Sequence, residues 1–323
     1  MSASFLERLQ NGEILFHYAP LHSLLADWGK PLETHLSKWI IDNPEKYQEA
    51  LVKSYEAGCT LGCTQTQAAS PWRAETFGLR HRVRELNYKS ARLAREVTRP
   101  PNYVLALVSS TNPDFLQPLG SLSYQEVYDG YQEQISALLE GGIDLFIIAG
   151  NHLEEQLIAI RVARDLCDLP IISQNVYYTG KKGFRTMMGI DPAIGSARLE
   201  EAGVDVIGGS CGLMSDLPDA SNYYRAATKL VREMRRACRK SVSIQPNAGM
   251  PQLQGEITIY PATPAQMAAE VEEWVCAGAR LVGGCCGTNL DHYRAISKKI
   301  GGRKADQVIA DRPSPNSKVG KKV

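Results

Sequence analysis

The sequence predicts a single-domain α/β protein, a (β/α)8 TIM barrel, on three observations. Short apolar runs recur eight times, and stretches with helical character separate them. The passage from helix to strand also repeats one phrase, Ala-Gly or Gly-Gly, in "EAGCTL", "EGGIDLF", "EAGVDVIGG" and "CAGARLVGG". Runs apolar on both faces suit parallel strands buried under helices. Eight such units, each near the roughly 30 residues a βα repeat needs, close into a barrel. A doubly wound open sheet is the architectural alternative.

In chain order the candidate strands are 14–19 "ILFHYA", 60–65 "TLGCTQ", 103–109 "YVLALVS" and 145–150 "LFIIAG". They continue with 170–176 "PIISQNV", 205–211 "DVIGGSC", 241–247 "SVSIQPN" and 281–286 "LVGGCC". Between them, 45–57 reads as a helix stopped by Gly58, and 125–140 as one stopped by Gly141-Gly142. Before "AQMAAEVEEWVCAGA", Thr263 is placed as N-cap, with Pro264 in the first helical position and Gln266 completing a capping box. The barrel is expected to fill 1–300. The basic stretch 301–323, with Pro and Ser and no apolar period, is expected to be a flexible tail.

The 323 residues are 44% hydrophobic and 22% charged, enough for a core that needs no disulfide staples. A net charge of +1 argues against a nucleic-acid footprint. No apolar run approaches the roughly 20 residues of a membrane span. The start, "MSASFLERLQNGEILF", lacks the basic region and apolar core of a signal peptide. With eight cysteines and no secretion signal, reduced thiols and a cytoplasmic location are expected. A homo-oligomer is compatible with all of this.

The phrase "LVGGCCGTN" places two adjacent cysteines between glycine pairs, directly after an apolar run. A vicinal disulfide strains the intervening peptide, and buried thiols can serve as packing alone. The third reading is that both point at one metal. Cys211, in "IGGSCGLM", and the pair Cys285-Cys286 stand at the ends of the sixth and eighth strands, on the side where barrels carry their active sites. Strands two apart in an eight-membered ring can converge above the mouth. Three thiolates form a soft donor set that suits zinc and leave its fourth position open, the mark of a catalytic site. Such an electron-rich zinc activates water poorly and is better suited to holding a substrate thiol as a nucleophile. From the cysteines taken alone, packing and metal binding stay open.

The phrases "AGARLVGGCCGTNLDHYRAI", "QPNAGMP" and "GVDVIGGSC" closely resemble the homocysteine S-methyltransferase family, which includes betaine–homocysteine methyltransferases and the homocysteine module of cobalamin-dependent methionine synthase. The resemblance runs from about Gly12 to Ile300. It implies a (β/α)8 barrel with zinc ligands at Cys211, Cys285 and Cys286. Three features depart from the family pattern. The acidic residue of the first strand, which helps hold the homocysteine amino group, is matched by His17 or Phe16 in "LFHYAPLH". The glutamate of the fourth strand is matched by Ala149, and a Glu-Thr-Asn-Thr-Phe phrase on the second by 63–67 "CTQTQ". An ammonium taken into a pocket without a carboxylate costs several kcal/mol. Either Glu154 or Asp216 takes over, or the acceptor is not homocysteine.

Other candidates carry a bland and a functional reading each. His17, Gln65 and Asn247 are placed as substrate-binding residues, with structural or turn roles competing for His17 and Asn247. Cys63 is an extra functional thiol or strand packing, and His152 lines the mouth or is structural. Tyr177-Tyr178 are candidate rim residues, while Cys59, Cys167, Cys238 and Cys276 read as packing. The leading function is a zinc-dependent methyltransferase moving a methyl group to or from an activated thiol, with homocysteine or a related thiol as acceptor and a small-molecule methyl donor. One alternative is a zinc-dependent demethylase that hands a methyl group to a separate corrinoid protein. Another is a non-catalytic zinc- or thiol-binding barrel.

Overall fold

Strands that are apolar on both faces must be covered on both faces, and here they are. A computed structural model describes residues 3–31, 33–109, 116–180, 182–212, 223–255 and 257–311. Its eight barrel strands are β1 (Leu15–Phe16), β2 (Leu61–Cys63), β3 (Tyr103–Ser109) and β4 (Leu145–Gly150), then β5 (Ile171–Val176), β6 (Val206–Ser210), β7 (Ser241–Gln245) and β8 (Ala279–Val282). They lie in the order β1-β8-β7-β6-β5-β4-β3-β2, and every neighbouring pair is parallel. Thr60 ties the remaining seam: its N–H donates to the Phe16 carbonyl at 2.9 Å, and its Oγ1 accepts from the Phe16 N–H at 3.1 Å. The sheet is a nearly closed barrel, and the open-sheet alternative falls.

The period of two along each strand sorts the apolar residues into two layers. Leu105 and Leu107 face inward with Leu15, Leu61, Cys63, Leu145, Ile147, Ile172, Val206 and Leu281. Val104, Ala106 and Val108 face outward into the larger layer under the helices. The helix Phe5–Gln10 plugs the bottom of the barrel with Phe5 and Leu9. It starts from a capping box in which Ser4 and Glu7 satisfy each other's backbone N–H groups.

The expected helices appear as Pro44–Glu56, Tyr124–Gly141 and Pro264–Ala277, the last capped by Thr263 and Gln266 as read from the sequence. The strands end earlier than the apolar runs suggest. β2 stops before Gln65, at φ +57°, and β6 stops before Cys211, at φ +54°; both residues are in the left-handed region, where an extended strand cannot continue. Extended pairing therefore ends where the candidate site residues begin.

The expected tail needs a correction. Residues 305–310 form a further helix, Ala305–Ala310, with Ala305 and Val308 buried. The Ala305 N–H donates to the Gly12 carbonyl at 2.9 Å, joining this helix to the N-terminal segment. Two apolar residues at i and i+3 suffice to dock one helical turn, a pattern too short to register as a period. The barrel unit thus extends past 300, and residues 312–323 lie outside the described residues.

Candidate metal centre

The three sequence-predicted cysteines meet at the mouth of the barrel. Cys211 follows β6, and Cys285-Cys286 follow β8. Their sulfurs all lie within 4.8 Å of one another, the only such group of potential metal donors among the described residues. Cys211 Sγ is 3.6 Å from Cys286 Sγ, and Cys285 Sγ is 3.9 Å from Cys286 Sγ. A tetrahedral ion about 2.3 Å from each sulfur requires sulfurs about 3.8 Å apart. The triad matches that spacing. All eight cysteines are free thiols.

The backbone that delivers these sulfurs is cross-tied. Cys211 N–H donates to the Gln245 carbonyl at 3.0 Å and Cys285 N–H to the Pro246 carbonyl at 2.9 Å, so both loops hang from the end of β7. Gly287 turns the chain at φ +78°, and a Cβ there would stand 2.1 Å from the Tyr260 ring. Tyr293 ties two strand ends together: its hydroxyl donates to the Tyr18 carbonyl at 2.6 Å and accepts from the Gly284 N–H at 3.1 Å.

The triad is also electrostatically coupled. Cys211 is held down to about 3 because the Cys285 and Cys286 thiols donate to it. Its charge in turn pushes Cys286 up to about 11 and Cys285 well above the usual thiol range. The three thiols thus compete for their protons, and Cys211 is the first to lose its own. A divalent cation would take the place of those protons, the usual coupling of thiolate sites to metal.

Asn247 was expected to touch substrate, but its amide is otherwise engaged. Its Oδ1 accepts from the Cys286 N–H at 3.1 Å and its Nδ2 donates to the Gly212 carbonyl at 3.1 Å. It bridges the two cysteine loops. Tyr260, not singled out in the sequence, hydrogen-bonds to Cys286, and burial with these neighbouring cysteines pushes its phenol up to about 12. Its only sequence signal is that it follows the seventh strand, in "ITIYPATP".

His17 is buried in the interior just above β1. Its Nε2 is 3.2 Å from Gln174 Nε2, an amide nitrogen that also donates to Ser243 Oγ at 2.8 Å. Nε2 must therefore accept, which leaves the proton on Nδ1, and that atom is buried without a partner. Burial pushes the imidazole down to about 3, so the ring is neutral. Gln65 is buried as well, and its Nε2 has no partner. Ala149, the penultimate residue of β4, is half-buried against the interior cluster.

Several other expectations are redirected. Glu154 pairs with Arg198, Nη2 to Oε2 at 2.9 Å, with both side chains largely exposed. Asp216 lies outside the described residues. Glu155, the neighbour passed over in the sequence, is the buried carboxylate; it accepts from the Tyr131 hydroxyl at 2.6 Å in the layer behind the strands. His152 caps the helix Leu153–Leu166. Cys63 packs in the interior, and burial pushes its thiol up to about 12, so it stays protonated. Tyr177 is buried in the outer layer and is not a rim residue. Tyr178 is partly exposed, and burial with the nearby Cys211 raises its phenol.

A parallel barrel with three convergent thiols at its strand ends belongs, by fold and site together, to the class of barrels with a candidate metal centre at the mouth. The chain is a member of the homocysteine S-methyltransferase family, whose model matches residues 17–300. It is 27% identical over 257 residues to methionine synthase of Mycobacterium leprae, covering 76% of this chain and 20% of that protein. It is 26% identical over 276 residues to methionine synthase of Mycobacterium tuberculosis, covering 81% and 22%. The chain thus spans about a fifth of the length of these curated relatives. Among solved structures, the metallated form of the homocysteine methyltransferase MmuM from Escherichia coli superposes with a TM-score of 0.73 at 19% identity, covering 91% of this chain and 98% of that one. At that identity the likeness establishes the fold.

Proposed function

We propose that this protein moves a methyl group to or from a thiol held at a zinc ion by Cys211, Cys285 and Cys286, with homocysteine or a related thiol as acceptor. The carrying observation is the sulfur triad: three donors at tetrahedral spacing, all at the ends of barrel strands. Zinc there would lower the pKa of a bound thiol while leaving its sulfur nucleophilic. The chain's own residues do the rest. Asn247 and Tyr293 hold the cysteine loops in register, so the sulfurs need little rearrangement to bind metal. Tyr260 hydrogen-bonds to Cys286 and tempers the charge on that sulfur. In the transfer, the acceptor's S–H proton leaves to water and its sulfur forms the new S–C bond. The bond from methyl to its donor atom breaks, and that electron pair leaves with the donor. Alignment of sulfur and methyl supplies much of the rate.

The resemblance implies that the partners of the homocysteine ammonium are matched here by His17 (or Phe16) and Ala149. That replacement supports a second reading, in which zinc binds a small methylated substrate and a separate corrinoid protein takes the methyl group. One experiment covers both. Purified protein is assayed for zinc content, then given thiols with sulfonium, quaternary ammonium or methylcorrinoid donors, and the methylated product is read by mass spectrometry. Full zinc occupancy in a Cys285→Ala variant would overturn the site. Intact zinc with no methyl transfer from any donor would favour the non-catalytic barrel. No described helix is long and apolar enough to cross a membrane, and the cytoplasm is the compartment we propose.

A further inference from the structure

We propose that the acceptor thiol presents a hydrogen-bond-accepting oxygen, not an ammonium, to the Nδ1–H of His17, with the side-chain amide of Gln65 as a second donor. The inference deepens the thiol reading above and rests on it. It starts from two buried polar groups that nothing in the fold satisfies. His17 is fully buried and Gln65 is 3% exposed, yet His17 Nδ1 and Gln65 Nε2 have no partner. A buried donor without a partner has lost its water and gained nothing in return, so such groups point to a ligand that completes them.

Both atoms are donors. The His17 proton is placed on Nδ1 by the Gln174 amide, which occupies Nε2. Gln174 is itself fixed by Ser243, and it reaches Ser243 because β6 carries Gly208 between them, where a Cβ would stand 2.1 Å from Ser243 Oγ. The network therefore sets both the tautomer and the ring orientation of His17. Burial keeps the ring uncharged down to about pH 3. Gln65 is held in the left-handed region at φ +57°, and the Ser37 hydroxyl donates to its carbonyl at 3.1 Å. Strain of this kind persists where the surroundings enforce it and is common at ligand sites.

The two donors follow neighbouring strands, joined at Thr60. They sit on the same end of the barrel as the cysteines; a Cβ on Gly283, two residues before Cys285, would meet His17 Cβ at 2.7 Å. A thiol whose sulfur sits at the triad would thus extend its other end over donors. An ammonium would find no partner in these two N–H groups, whereas a carboxylate or amide oxygen would complete both. The second polar group of the acceptor is the one the site selects.

The test is isothermal titration of zinc-loaded protein with four thiols of matched length: homocysteine, 4-mercaptobutanoate, 4-mercaptobutanamide and 3-aminopropane-1-thiol. At least one of the two oxygen-bearing, amine-free thiols should bind about tenfold tighter than the aminothiol and tighter than homocysteine. The carboxylate and amide arms tell a charged oxygen from a neutral one. His17→Phe, which keeps a flat ring and loses the donor, should cut that preference about tenfold while leaving aminothiol binding unchanged. Because the comparison among ligands needs only the wild-type protein, a poorly folded variant does not block it. Equal or tighter binding of the aminothiol overturns the proposal. So does homocysteine binding best of the four, since the site would then accommodate an ammonium beside the oxygen. If no thiol binds at the metal, both this inference and the thiol reading fall. If the expected order appears without methyl transfer, only the transfer reading falls.

Discussion

The two sides of the barrel mouth differ in how their polar groups are satisfied. At the ends of β6, β7 and β8, groups lock onto one another. Asn247 uses both ends of its amide on the cysteine loops, and Tyr293 ties Tyr18 to Gly284. At the ends of β1 and β2, His17 and Gln65 keep buried nitrogens that nothing satisfies. The first side is finished without a ligand, as a site that must hold three sulfurs at fixed spacing has to be. The second side leaves two donors open, which is where we propose that the acceptor binds. The sulfur spacing is thus preorganised, while the donors after β1 and β2 are not.

The comparison breaks first at the cysteines. Replacing Cys211, Cys285 or Cys286 by Ala should lower zinc affinity by at least about 100-fold and remove methyl transfer, with circular dichroism unchanged because the core does not depend on the metal. Unfolding on zinc removal would make the site structural. Asn247→Leu comes next. It frees the Cys286 N–H and the Gly212 carbonyl, and should weaken zinc binding about 10- to 100-fold, as loss of outer hydrogen bonds to a metal site does. A chelator competition measures it. An unchanged affinity would show that the loops hold themselves.

The unsatisfied side carries a smaller, pH-dependent effect. His17 has a folded pKa of about 3 against 6.5 for the free side chain, so the unfolded chain takes up the proton first. Its contribution is therefore present above about pH 6.5 and lost as pH falls toward 3. Urea titrations of wild type and His17→Gln, compared from pH 7 to pH 4, should show the wild type losing more stability. The extra slope should approach about 1.4 kcal/mol per pH unit at the acid end. His35 and His292 are present in both proteins and cancel. Parallel curves would mean that His17 is not buried as described. The smallest effect belongs to Glu154→Gln. The Arg198 pair is largely solvent-exposed, so stability should change by less than about 1 kcal/mol and thiol binding not at all.

The eight strands, the capped helix at Thr263 and the cysteine triad were legible in the chain itself. Each rests on a local signal: an apolar run, a capping box, or cysteines flanked by glycines. The strands read several residues too long at β1, β2 and β8, because apolar composition continues past the point where pairing stops. The short final helix was missed because its two buried residues, Ala305 and Val308, make no visible period.

What the chain could not show was which polar residue meets which. Glu154 and Glu155 are adjacent in sequence, yet one faces Arg198 near solvent and the other is buried against Tyr131. Asn247 looked like a ligand-binding residue until its two partners, 35 and 39 positions away, used both ends of its amide. The tautomer of His17 depends on Gln174, which is 157 residues distant. Periodicity and capping act over a few residues and can be read in one pass along the chain. Hydrogen-bond partners and burial arise only when the barrel closes and brings distant strand ends together, so the roles of the mouth residues belong to the tertiary structure.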